Sequence, residues 1–489
     1  MKNRKAEKAN MDRKWTKKEA QELSKKLFHK PVLAWDVMDR TQLKTAMALA
    51  GSYMEFLDRA KTEREAVVEL LSLAGEKGFS LAGKGEAGSG ICLPLGNKCL
   101  ALFRPGKRSP LEGINVVASH LDSPRLDCKQ NPLYECVDLA FLKTHYYGGI
   151  RKHQWLARPL AIHGRIVKKD GTALDLILGE DPDDPVFTIL DLLPHLSRKV
   201  QGGKKLSDAF EGEKLNVLLG SLPLGTDEVK DRFKLSMLNL LHDRYGLVEG
   251  DFLTGELEVV PAGRARDVGL DRSLIGAYGH DDRVCVFAAA SALFEAKKPQ
   301  YGALALFFDK EEIGSEGKTS AKSRFLESVV EEVLETSEVE PTGRNVRKCL
   351  LASRALSGDV NCALDPDYQE VHEKQNAARL GYGVCVTKFT GSGGKYGAND
   401  ASAEYLSQIR SLFDRDKVVW QTGELGKVDA GGGGTIAKFL AAMGLEIVDC
   451  GTPVLSMHSP FEIVSKADVY MTRQAYASFF KGGKPLDLL

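Results

Sequence analysis

Three carboxylates close an apolar run in Ala303-Leu304-Ala305-Leu306-Phe307-Phe308-Asp309-Lys310-Glu311-Glu312-Ile313-Gly314. The run has the length of a buried strand, and buried strands of open α/β sheets read as continuous apolar stretches. Ligand sites in such sheets lie beyond the carboxyl ends of the strands. That placement would deliver Asp309, Glu311 and Glu312 to a functional edge. Two adjacent glutamates there can divide two jobs, one holding a metal and one moving a proton. Taken alone, the pair is equally at home in a solvated acidic turn.

Other element ends carry the same kind of chemistry. Ile114-Asn115-Val116-Val117-Ala118 reads as a second buried strand and runs into Ser119-His120-Leu121-Asp122-Ser123-Pro124. A His-x-Asp at a strand end can bind a metal through one ring nitrogen while the carboxylate holds or orients the ring. Asp281-Asp282 precedes an alanine-rich helix over Val284–Lys297, where the acids could also be simple caps. Ser357-Gly358-Asp359 and Ser456-Met457-His458-Ser459 complete the set. His120, Asp281, Glu312, Asp359 and His458 thus sit beside five strand or helix ends, with imidazole and carboxylate groups that suit zinc, cobalt or manganese. One bridging carboxylate and two terminal ligands per ion would make a two-metal site, its ions about 3.5–4 Å apart.

Strand and helix patterns alternate on both sides of a region of different texture, which implies an α/β sheet sandwiched by helices. The resulting expectation is a discontinuous three-layer α/β/α domain, residues 1–131 and 262–489, interrupted by a β-rich insert, residues 132–261. Helical periodicity dominates from Trp15 to Lys77, after a basic tail over residues 1–14 that lacks the apolar core of a secretory signal. A final helix is expected over Glu462–Lys481, and a charged loop over Thr336–Arg347. Gly391-Ser392-Gly393-Gly394-Lys395-Tyr396 lacks the spacing and the following Ser/Thr of a phosphate loop. Lys+Arg 67 balances Asp+Glu 67, which argues against a general nucleic-acid binder, and no apolar stretch approaches a membrane span. Nine scattered cysteines without Cys-x-x-Cys spacing fit a reducing cytoplasm.

His120-Leu121-Asp122-Ser123-Pro124, Asp281-Asp282, Glu311-Glu312-Ile313-Gly314-Ser315, Ser357-Gly358-Asp359 and Ser456-Met457-His458-Ser459 occur in the order found in the M18 metallopeptidases. The chain resembles that family, the aspartyl aminopeptidases and the vacuolar aminopeptidase I group, over nearly its whole length. The resemblance implies two divalent ions, zinc first and cobalt or manganese as alternatives. His120 and His458 would bind one each, Asp281 would bridge, and Glu312 and Asp359 would each take one. Asp122 would orient His120, Glu311 would be the general base, and a cis peptide would follow Asp281. Lys388 and Tyr396 fall where the family has substrate contacts, and His195 resembles a His that reaches a neighbouring subunit's site. The insert would build dimers that join into a tetrahedral dodecamer. An Asp or Glu at the N-terminus of a peptide is the substrate implied, with neutral residues the alternative. Two departures stand out: many members have Asp-Asn at Asp281-Asp282, and Cys362 stands near the position of a substrate-contacting His. A related metal-dependent amidase or carboxypeptidase, or an assembly protein that kept the fold, are the competing readings.

Overall fold

The structure is a computed structural model that describes residues 15–84 and 89–482. The expected basic tail, residues 1–14, lies outside the described residues. Its centre is a nine-stranded mixed sheet. In it Ala303–Phe308 lies antiparallel to Cys99–Arg104 on one side and parallel to Asn115–His120 on the other. Arg354–Ser357 continues the parallel array from Asn115–His120, and Glu446–Gly451 follows it. All six residues of Ala303–Phe308 are buried.

The apolar runs are continuous because both faces of this sheet are covered. Val117, Ala303, Ala305 and Phe307 join one core cluster, with Tyr53, Phe56 and the alanines of helix His280–Glu295. Val116, Ala118, Leu304, Leu306 and Phe308 join a second, with Val329, Val333 and Leu350 of helices Phe325–Thr336 and Gly343–Ala352. Successive side chains of one strand point to opposite faces, so each strand feeds two cores. The result is a layer of helices, a sheet and a second layer of helices.

A separate seven-stranded sheet runs in the order Ala173–Leu178, Leu160–Val167, Glu256–Pro261, Arg125–Cys136, Leu139–Tyr147, Val217–Gly220, Thr188–Ile189. It has its own core around Trp155, Phe187 and Phe252. Helix Arg232–Tyr245 packs against its strands, a helix that the strand-rich texture of the segment concealed. A five-stranded sheet joins distant parts of the chain: Arg266–Val268, Leu274–Ala277, Glu462–Ser465, Pro453–Leu455 and Asn361–Cys362.

Two local expectations change. Glu462 does not open the last helix. Glu462–Ser465 is a strand paired antiparallel with Leu274–Ala277, and the helix begins at Lys466. Cross-strand packing of Val464 on Ile275 overrides the local pattern. Part of the expected loop over Thr336–Arg347 is helix Gly343–Ala352, capped by Thr342, whose hydroxyl accepts from the Asn345 N–H at 3.2 Å.

Candidate metal centre

Three neighbouring parallel strands carry candidate ligands at their carboxyl ends. Asn115–His120 ends in His120 itself, Ala303–Phe308 leads to Glu311 and Glu312, and Arg354–Ser357 leads to Asp359. The five-stranded sheet supplies the rest. Leu274–Ala277 leads to Asp281, and Pro453–Leu455 leads to His458. The chain closes on Glu311 through Lys310 at φ 68° and leaves Glu312 through Gly314 at φ 93°. Asp309, expected at this edge, turns away: Thr319 donates to its Oδ2 at 2.7 Å.

Asp281 stands between the two histidines. Its Oδ1 lies 3.2 Å from His120 Nε2, and its Oδ2 lies 3.2 Å from His458 Nε2. Glu312 Oε1 lies 3.4 Å from the same His458 nitrogen. The other ring nitrogens are held from behind. His120 Nδ1 is 3.0 Å from the Asp122 main-chain oxygen, and His458 Nδ1 is 2.9 Å from that of Gly149. With both Nδ1 atoms turned to main-chain oxygens, the Nε2 atoms are the ring nitrogens that face the carboxylates and could hold a cation with them. The peptide bond between Asp281 and Asp282 is cis.

Asp122 does more than orient a ring. It is fully buried and accepts from the Glu311 N–H at 3.1 Å, the Glu312 N–H at 3.2 Å and the Tyr147 hydroxyl at 2.9 Å. One carboxylate therefore fixes the backbone of both glutamates. Burial opposes its ionisation, but His120, Arg125 and Tyr147 hold the Asp122 carboxyl below its usual range. The Arg125 guanidinium lies 4.0 Å over the Tyr147 ring and pairs with buried Glu63 and Glu258.

The carboxylates are short of positive charge. Burial, then repulsion from Asp281, pushes the Glu312 carboxyl well up. Burial and neighbouring carboxylates do the same to Asp359 and Asp282. Glu311 rises to about 7, chiefly through burial. Asp281 Oδ1, Asp282 Oδ1 and Glu312 Oε1 are buried and take no hydrogen bond among the described residues. Orphaned acceptors inside a protein are costly unless a cation meets them. Ligand atoms of His120, Asp281 and Glu312 lie within 4.8 Å of one another, as do those of Asp281, Asp282 and Asp359. These residues fit a divalent cation, and Asp281 belongs to both groups.

The residues expected on the substrate side are all exposed. Lys388 donates to Asp400 Oδ1 at 2.9 Å, and Lys395 donates to Oδ2 of the same carboxylate at 2.9 Å. Tyr396 is 79% exposed on the adjoining turn. His195 is exposed near the start of the short helix Pro194–Val200, outside this chain's cluster. His280, beside Asp281 in sequence, is a buried structural residue with its ring nitrogens 2.7 Å from the Tyr53 hydroxyl and 3.2 Å from the Ile275 oxygen.

A family model described as Aminopeptidase I zinc metalloprotease (M18) matches residues 56–480. This chain belongs to the M18 peptidase family. It is accordingly an enzyme of the metal-dependent aminopeptidase class. A protein named "Probable M18 family aminopeptidase 1" from Clostridium acetobutylicum is 46% identical over 453 residues, 91% of this chain and 97% of its own length. The crystal structure of an M18 aminopeptidase from Thermotoga maritima superposes with a TM-score of 0.89 at 44% identity, covering 93% of this M18 chain and 100% of its own. The mApe1 dodecamer of S. cerevisiae shares the fold at 22% identity, with a TM-score of 0.71 and coverage of 88% and 96%.

The M18 site also contains groups that sequence reasoning missed. Tyr147, the last residue of strand Leu139–Tyr147, and Gly149 just after it hold Asp122 and His458. Glu462 is 1% exposed and accepts from the N–H groups of both Asp281 and His458. No residue spacing announces these contacts. The one available signal was an acid four residues after a candidate histidine ligand.

Proposed function

We propose that this enzyme removes N-terminal residues from peptides with two divalent ions, zinc first, held on either side of Asp281. The observation that carries the reading is Asp281 itself, with one oxygen toward His120 and the other toward His458. His120 and Asp359 would hold one ion, and His458 and Glu312 the other. When bound, such ions supply Lewis acidity at the scissile carbonyl and lower the pKa of water. Glu311 takes the proton from the attacking water and gives it to the leaving amine. Asp122 keeps Glu311 in place through the backbone hydrogen bond. Hydrolysis of an amino-acid anilide panel by zinc-loaded protein, beside the same substrates acetylated on nitrogen, tests the reading. Equal cleavage of free and blocked substrates would remove the aminopeptidase assignment and favour a related amidase.

Chelation has an expected effect on stability. A ligand bound only by the folded state at about a thousand times its Kd stabilises by roughly 4 kcal/mol. Stripping with a chelator should therefore lower the thermal midpoint, and zinc, cobalt or manganese should restore it. An unchanged midpoint in protein proven to have lost its metal would count against metals in this cage.

Two readings of the side-chain preference differ in one contact. A preference for N-terminal Asp or Glu rests on Lys388 as a point charge for the substrate carboxylate. Asp400 accepts from both Lys388 and Lys395 and so competes with a substrate carboxylate at Lys388, which favours the second reading, neutral residues. Under the first, Lys388→Met lowers kcat/KM for acidic substrates about ten- to hundredfold more than for neutral ones, the range of a charge-assisted hydrogen bond. Under the second, both classes change alike, and Asp400→Asn raises acidic turnover. The kcat/KM ratio for Glu and Leu anilides decides between them.

The enzyme is read as a cytoplasmic homo-oligomer, built from dimers into a tetrahedral dodecamer. The insert supports this with a run of exposed apolar residues on one segment, among them Leu190, Leu193, Leu196 and Leu206. A second copy of this chain is the partner that such a patch implies, and His195 lies in the same segment. Sedimentation or light scattering reads the assembly size directly.

A further inference from the structure

We infer that Glu462 is a positioning residue that fixes Asp281 and His458 relative to each other and thereby sets the affinity of the ion they share, an inference that rests on the two-ion reading. Glu462 is buried at the head of strand Glu462–Ser465, opposite Ala277 on the strand that leads to Asp281. Its Oε2 accepts the Asp281 N–H at 3.0 Å, and its Oε1 accepts the His458 N–H at 2.6 Å. The two ligands are far apart in sequence, and this carboxylate ties their backbones with one rigid group. Ser123 completes the grip on the first, donating to the Asp281 oxygen at 2.5 Å.

The tie is needed most at His458. That residue has φ 63°, in the left-handed region that residues with a Cβ occupy infrequently. The Glu462 hydrogen bond to its N–H, with the Gly149 oxygen on its ring, supports that conformation. His458 Nε2 is then held 3.2 Å from Asp281 Oδ2. His120 is held differently: it ends a buried strand paired with Ala303–Phe308, and its N–H donates to Asp282 Oδ2 at 3.3 Å. Only a carboxylate can serve two N–H donors with two oxygens. An amide has one acceptor oxygen and would turn its own N–H groups toward the second donor. Glutamine is therefore a substitution of nearly equal size that breaks one half of the tie.

The test is zinc binding by metal-free full-length protein, titrated against a chromophoric chelator, for the wild type, Glu462→Gln and Glu462→Asp. Wild type takes up two ions. Both variants are expected to keep one at wild-type affinity and to bind the other about tenfold or more weakly, the scale on which groups behind a metal ligand act. Turnover at limiting zinc falls with that second ion, and excess zinc restores part of kcat. Asp tests the same tie if Gln does not fold, because it keeps the charge but is one methylene too short to reach both donors. Two ions held at wild-type affinity by folded variants would overturn the inference, as would equal weakening of both ions. A wild type that takes up fewer than two ions would instead remove the two-ion reading, and the shared-ion role with it.

Discussion

Glu311→Gln is expected to keep the fold and much of the metal and to lose most turnover. Its backbone N–H is held by Asp122 at 3.1 Å, which the substitution leaves intact. Its side chain is absent from both groups of converging ligand atoms. It lies beside the cluster, with its carboxyl pushed up chiefly by burial. Glutamine matches its size and cannot take the proton. General acid–base groups contribute about 10²–10⁴-fold, so kcat should fall by that factor while elemental analysis finds much of the metal retained. Wild-type turnover in the metal-loaded variant would reject Glu311 as the base.

Asp281→Ala acts on the metal itself. Asp281 has one oxygen 3.2 Å from His120 Nε2 and the other 3.2 Å from His458 Nε2, and both groups of converging side chains contain it. Removing it takes away a shared charge where Glu312, Asp359 and Asp282 are already pushed toward their neutral forms. Metal content after gel filtration should drop from about two ions per chain to below one, and activity should fall at least as far as in Glu311→Gln. Full occupancy would mean that Asp281 does not bridge. The pair of variants separates two roles within one cleft: Glu311→Gln leaves metal without turnover, and Asp281→Ala leaves neither.

The family and the candidate ligand residues were legible because this chemistry demands particular residue types at the ends of particular elements. A buried parallel strand has to be apolar throughout, so the polar residue that ends it is conspicuous. His120, Glu311-Glu312 and Asp359 could be found that way. His458 and Asp281 follow shorter strands of a second sheet, and were found through the ordered motifs rather than through strand pattern. Lys388 shows the opposite case. Its position at the end of an apolar strand was visible, but its charge partner Asp400 lies twelve residues on and is set by a turn.

The sequence by itself determined the α/β class, the two covered faces of the central sheet and the residue types available for a metal site. Those depend on composition and on period, which a linear chain carries in full. Folding in three dimensions set which oxygen of Asp281 faces which histidine, that Asp122 anchors both glutamates, that Asp309 turns to Thr319, and that Glu462 is a strand residue accepting from Asp281 and His458. Each of these is a hydrogen bond or ion pair between segments remote in the chain or around a turn. A donor and an acceptor leave no periodic trace when packing brings them together, and a buried carboxylate reads in sequence like any exposed acid.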